Sequence, residues 1–381
     1  MPGKRIQFDR NEFSGAFGDI GTDLPLLAGM ILSCGLDSAS VFITYGALQI
    51  LTGGVLYGLP VPVQPLKAVA VIMIAQKLPG GVMYGAGLAI GAIMLVLTLT
   101  GLLQWVARVI PESVVRGVQL GLGMALCTLA LKDYVPSQGM PGWILAGVGF
   151  VIVLLLLGNR KFPPALLVIG LGIAYAAVFR LDFGRLTDGI GLSHPHWWTP
   201  TMPDIWQGLL VLALPQLGLS IANSVVATHK TIKDLFPQSS VSVRKIGFTY
   251  SIMNLMAPWT SGVPVCHGAG GLAGHYAFGA RTGGSVVIYG GLYLAIGLFF
   301  SGCFDEVLKI FPLPILGVVL LFEGVALMSF VRSVASSKAD LFLALVVGVI
   351  AAFVPYGYLI AMVGGTVIAR FVPLDRTMRL G

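Results

Sequence analysis

Between residues 13 and 371 the chain rarely leaves apolar sequence for longer than a brief punctuation of charges, prolines or glycines. These runs recur at the length that crosses a bilayer, about 20 residues each. In hydrocarbon every backbone N–H and C=O must be paired internally, so a chain of this pattern folds as packed helices. Composition agrees. Hydrophobic residues make up 56% and charged residues 10%, with a mean hydropathy of +0.90, where a soluble domain carries about 25% charged residues. No polar stretch is long enough for a separate soluble domain. The opening MPGKRIQFDRNEF is short and charged, so neither a removable signal peptide nor an organelle-targeting segment is expected.

The punctuation predicts an all-α polytopic membrane protein of about fourteen spans. Seven lie near 13–33, 36–57, 62–77, 82–105, 112–131, 141–158 and 163–179. Seven more lie near 204–227, 242–260, 264–279, 283–301, 304–328, 339–354 and 355–371. A polar connection, 181–203, separates them, which divides the chain into 1–180, 181–203 and 204–381. With the N-terminus inside, 17 of the 23 Lys and Arg residues fall on one face of the membrane, 5 on the other, and Lys67 remains within it. Cytoplasmic loops are enriched in these residues, so both termini are predicted to be cytoplasmic. The net charge of +7 is dispersed and follows topology, so no nucleic-acid partner is expected. Four scattered cysteines (Cys34, Cys127, Cys266, Cys303) suggest neither a zinc site nor a disulfide framework.

An odd-numbered repeat re-enters the membrane in the opposite sense, giving inverted topology. The third segments of the two halves carry the signal. LPVPVQPLKAVA (59–70) corresponds to SGVPVCHGAGGLAG (261–274), and Pro62-Val63 matches Pro264-Val265 at a spacing of 202 residues. Each reads as a few extended residues followed by a helix that begins inside the membrane. Gln64 is placed to cap the first, with Pro65 at its first position; Cys266, His267 and Gly268 hold the equivalent point in the second. Two half-helices of opposite direction would bring their N-termini together, with unpaired N–H groups and positive dipole ends. Lys67 adds a full charge there at a cost of about 2.5–3.5 kcal/mol on insertion scales. That combination suits an anion.

Other residues read around this site. Asp19 and Asp23 lie four apart, either as proton carriers or as partners of Lys67, and Thr22 between them offers a hydroxyl. Gln216, Ser220 and Asn223, with Ser224, form a polar stripe on the eighth segment that either meets substrate or glues helices together. His267 is either a donor to the anion, a titrating group, or a satisfied structural histidine. Arg281 reads as an orientation charge and His275 lies at the inner end. His194, His196, Trp197 and Trp198 read as an interfacial belt. GAGGLAG lacks the Lys-Ser/Thr of a phosphate-binding loop, so no nucleotide cofactor is expected, and no metal.

GAFGDIGTDLPLL (15–27), PVPVQPLKAVA (60–70), LPQLGLSIANSVVAT (214–228) and GVPVCHGAGGLAGHYAFGARTGG (262–284) together resemble the MOT-type molybdate transporters, relatives of the sulfate permeases. The resemblance spans essentially the whole chain. It implies seven-plus-seven inverted repeats, a core and a gate domain, and uptake of a tetrahedral oxyanion, molybdate first and sulfate second. It also implies a homodimer through the gate domain, and residence in a plasma membrane, most simply a bacterial inner membrane. After PQL the family pattern often continues with Pro and Thr, where this chain has Gly218-Leu219-Ser220. No cytoplasmic regulatory domain, common in sulfate permeases, is expected after the last span.

A dianion entering against a negative-inside potential is opposed by about 2.3 kcal/mol per charge per 100 mV, so a proton-coupled secondary transporter is expected. Bicarbonate is an alternative cargo on the same fold. A nucleobase is disfavoured, because no carboxylate stands on the eighth or tenth segment to meet ring N–H groups. An enzyme using Cys266 as nucleophile is the alternative from a different class, weakened by the absence of an acidic orienting group nearby.

Overall fold

The computed structural model describes residues 6–103, 105, 109–156, 164–179 and 189–372, with backbone alone at 21, 22, 164–166, 179, 308 and 309. The first predicted span is two helices, α1 (Arg10–Ala16) and α2 (Ile20–Cys34). Asp9 caps α1 by accepting from the N–H groups of Asn11 and Glu12. The chain then turns through Phe17 and Gly18, so Asp19 stands at the N-cap position of α2 instead of inside a continuous helix. Next come α3 (Ser38–Tyr57), β1 (Val63–Pro65), α4 (Lys67–Gln76) and α5 (Gly80–Thr100). α6 (Glu112–Leu129), α7 (Gly139–Leu155) and α8 (Pro164–Phe179) follow.

The second half opens with α9 (Met202–Leu235), a long helix with two stretches of wide π turns at Leu209–Ala213 and Ser220–Ala227. It continues through α10 (Val243–Met256), β2 (Val265–His267), α11 (Ala269–Ala277) and α12 (Gly284–Phe299). α13 (Ser301–Ile310), α14 (Leu313–Val334), α15 (Lys338–Phe353) and α16 (Gly357–Phe371) complete it. The chain bends by 88° between α12 and α13. The span predicted at 304–328 is therefore divided, because Pro312 ends α13 and serves as N-cap of α14.

Among the described residues five helices are long and apolar enough to cross a membrane, and several shorter apolar helices pack between them. α7 shows where lipid lies. Met140, Ile144, Val148, Val151 and Leu155 are exposed along it at steps of three or four, with Trp143 beside them, a face that water would not tolerate. α3 packs against α12, and α5 against α10 and the start of α9. In a second group α6 packs against α14 and α15, and α15 against α16. α6 and α14 meet backbone to backbone. A Cβ on Gly324 would fall 2.7 Å from Cys127 Sγ and 2.8 Å from the Gly123 carbonyl oxygen. α4 lies between the groups, against α2 and α6.

Among the described residues the only strands are β1 and β2, and they pair with each other, antiparallel, Val63 opposite His267 and Pro65 opposite Val265. Because the strands are antiparallel, α4 and α11 leave the pair in opposite directions.

Candidate functional site

Each strand is held by one amide side chain from the helix before it. Gln49 on α3 donates to the Val63 carbonyl (2.7 Å) and accepts from the Val63 N–H (2.9 Å). Asn254 on α10 does the same for Val265, at 2.6 and 2.9 Å. Both amides are fully buried. A buried strand has backbone groups that must find partners, and these two clamps supply them for Val63 and Val265. Neither was singled out from the sequence, although each is a lone amide within an otherwise apolar run.

Gln64 does not cap α4. Strand pairing keeps the chain extended through Pro65, the helix begins at Lys67 with Leu66 as N-cap, and no side chain of the cap residue bonds to it. Pro65 therefore lies in β1 and not at the first helical position. The Gln64 carboxamide instead donates to Asp19 Oδ2 at 2.6 Å. It also packs on Gly268, where any added Cβ would overlap it. Gln216 takes the capping role. Its Oε1 accepts from the Ala68 N–H at 2.9 Å, and its Nε2 donates to Ser220 Oγ at 3.1 Å. Ser220, fully buried, continues to Tyr250 OH at 2.7 Å. Ser220 thus stands behind Gln216 as a positioning residue and does not face open space. Pro264 supports the other side, its carbonyl accepting from the Leu66 N–H at 3.0 Å.

A cavity of about 370 Å³ opens in front of the two strand–helix junctions. Gln64, Lys67, Gln216, Asn223, Cys266, His267 and Gly268 all line it. Ala269 and Gly270, the first residues of α11, line it too. Their N–H groups have no acceptor within the helix, so the positive end of α11 faces the cavity. A second space of about 450 Å³ shares Arg116, Asn223 and Ala227 with the first and extends to Lys230. Among the described residues no three His, Cys, Asp or Glu side chains converge as a metal site requires. Thr22 lies outside the described side chains.

Lys67 is not paired with the aspartates. Its Nζ lies 3.5 Å from Glu323 Oε1 on α14. Asp23, fully buried, instead accepts from Tyr289 OH at 3.1 Å, and its Oδ2 also contacts Tyr45 OH. Tyr45 OH lies 2.7 Å from the Val63 carbonyl as well. His267 Nε2 faces Thr249 Oγ1 (2.9 Å) and Tyr57 OH (3.2 Å). Those contacts turn the ring away from the Cys266 thiol, because successive residues of a strand point to opposite faces. His275, also buried, meets Ser285 Oγ at 3.1 Å. Glu323, Gln119 and Arg116 were missed as site residues. Arg116 lines the cavity while bonded to Glu112 and Gln119.

Comparison with known proteins meets this geometry directly. The sequence pattern of the family described as "Molybdate transporter of MFS superfamily" matches residues 11–126 and 208–327, stretches that contain both strand–helix junctions. Molybdate transporter 1 of Arabidopsis thaliana is 34% identical over 385 residues, covering 88% of this chain and 82% of that protein. The chain belongs to this molybdate transporter family. A further relative, Molybdate transporter 1 of Chlamydomonas reinhardtii, is 26% identical over 96% of this chain and 92% of its own length. Solved structures share the fold at lower identity. The transmembrane domain of the cyanobacterial bicarbonate transporter BicA superposes with TM-score 0.68 at 17% identity, covering 95% of this chain and 99% of that one. Murine Slc26a9, an anion transporter in the inward-facing state, gives 0.71 at 14% identity over 98% of this chain and 70% of its own. As a member of the family the chain is a multi-pass membrane transporter of anions and not an enzyme.

Proposed function

We propose that the protein is a proton-coupled secondary transporter that imports a tetrahedral oxyanion, molybdate in preference to sulfate, through the cavity at Lys67. The carrying observation is the meeting of Lys67, the N-terminus of α11 and neutral amides around one space of about 370 Å³. Lys67 contributes one positive charge, and each helix end that faces the space contributes about half a charge. Together they approach the two negative charges of a dianion. Asn223, Gln64 and the amides of Ala269 and Gly270 can donate hydrogen bonds without fixing the ion permanently. The names of the curated relatives favour molybdate over sulfate or bicarbonate.

Asp23 supports proton coupling. Tyr45 has one hydroxyl hydrogen but lies within hydrogen-bond distance of two acceptors, Asp23 Oδ2 and the Val63 carbonyl. Both contacts are satisfied together when Asp23 carries a proton. Asp19, bonded to Gln64, links that group to the cavity wall. The wider reading is fourteen spans in two inverted repeats, with β1–α4 and β2–α11 as broken half-helices near the membrane midplane. Residues 1–180 and 204–381 would be the repeats, joined by 181–203. The core would carry the strands and the gate would contain α6, α14 and α15. Both termini are cytoplasmic in this reading, the membrane is a bacterial inner membrane, and two copies pair through the gate.

Titration calorimetry of the purified protein with molybdate and sulfate tests the site. Molybdate binding is expected to weaken by about 100-fold in Lys67→Ala, within the 2–5 kcal/mol cost of removing one partner of a desolvated charge contact. Unchanged binding in that variant would remove Lys67 from the site.

A further inference from the structure

The cation that the proposed site relies on already has a counter-ion. Lys67 Nζ is 3.5 Å from Glu323 Oε1, and the two side chains keep 33% and 19% of their surface exposed. A purely structural pair between helix groups would be expected to close off its charges. This one leaves both partly exposed, and its Lys67 end lines the cavity. Glu323 reaches Lys67 from α14. It lies on α14 one turn before Leu327 and two turns before Phe330, and both of those line the cavity. The Gly123–Gly324 backbone contact sets α14 against α6, so the carboxylate is carried by a stiff pair of helices. Lys67 begins α4, which belongs to the strand–helix unit.

We infer that Glu323 is a replaceable counter-ion: it neutralises Lys67 while the site is empty, and the incoming oxyanion takes its place. This rests on the reading of Lys67 as the anion site. Two consequences follow from charge alone. First, carboxylate and oxyanion compete for one ammonium, so the carboxylate weakens anion affinity. Second, the empty carrier can return across the membrane without a bare cation, and the loaded carrier can move because the α4–α14 link has been broken by its cargo. Glu323 is then a coupling and specificity residue, since it excludes anions too weakly charged to displace a carboxylate.

The test uses full-length protein with Glu323→Gln, Glu323→Asp and Lys67→Ala, each checked for monodispersity in detergent. Molybdate affinity is read by calorimetry, and net uptake and counterflow exchange are read in liposomes. Removal of a partly exposed competing charge is expected to tighten molybdate binding by about fivefold in Glu323→Gln. Net uptake should fall more than exchange, because only net uptake requires the empty carrier to return. Glu323→Asp should lie between, and it decides the matter alone if the glutamine variant does not fold. Unchanged or weaker binding in the Glu323 variants, with Lys67→Ala still defective, overturns the counter-ion while leaving the anion site intact. Normal binding in Lys67→Ala overturns both.

Discussion

The two strand–helix units, β1–α4 and β2–α11, share a backbone device and differ in what they do with it. Each strand is three residues long, each is clamped by one buried amide, and each leads into a helix of nine or ten residues. The first unit then spends its side chains. Gln64 reaches Asp19, and Lys67 reaches across to Glu323. The second unit withholds them: after His267 come Gly268, Ala269, Gly270 and Gly271. The first unit therefore supplies a charge, and the helix start of the second supplies little but backbone. The difference teaches that an antiparallel pair need not be chemically symmetric to line one cavity. A second lysine would hold a dianion too strongly to release it, and a second set of glycines would leave the site without its full charge.

The sharpest way to break the comparison is to give the second unit a side chain. Gly268→Ala places a methyl group inside the Gln64 carboxamide, at the upper end of overpacking costs, about 3 kcal/mol. The expected result is a lower melting temperature together with loss of molybdate binding. A variant that melts and binds normally would show that the Gln64–Gly268 contact is unimportant.

The clamps come next. Asn254→Leu leaves the N–H and C=O of Val265 unpaired in a buried place, with an expected destabilisation of about 2 kcal/mol. Gln49→Leu should cost less, about 1 kcal/mol, because the Val63 carbonyl retains Tyr45 OH. Chemical denaturation in mild detergent compares them, and equal losses would show that the tyrosine contributes nothing to β1. The smallest effect is expected at Cys266. Its thiol lines the cavity but meets no base, so Cys266→Ser should change molybdate affinity by less than about threefold. A near-total loss of transport there would point back to nucleophilic chemistry.

Much of this was legible in the sequence. The positions of the apolar runs, the two proline-started third segments and the lysine between apolar runs all stand out against the composition, and the structure puts Lys67, Gln64, Gln216, Asn223, Cys266, His267 and Gly268 around one cavity. The errors have physical causes. Gln64 was expected to cap because Gln-Pro reads locally as a helix start, but strand pairing with a segment two hundred positions away kept the chain extended. Ser220 shares a helical face with Gln216, but its hydroxyl is engaged by the Gln216 amide and by Tyr250 OH on α10, a partner that local spacing cannot reveal. Glu323 was passed over because it is one carboxylate in a long apolar run, LLFEGVAL, and nothing local says that it faces Lys67. Its partner lies in the other half of the chain.

The pairing of β1 with β2 also fixes when the site can come into being. The first strand has no partner strand until the second half of the chain has been synthesised and inserted. Until then its inner edge must wait in a membrane where each unpaired backbone group costs several kcal/mol. The bonds between Val63–Pro65 and Val265–His267 therefore close only after two thirds of the chain has been made. A nascent chain arrested before residue 265 would display an unfinished seam, which is the kind of surface that membrane quality control recognises and removes.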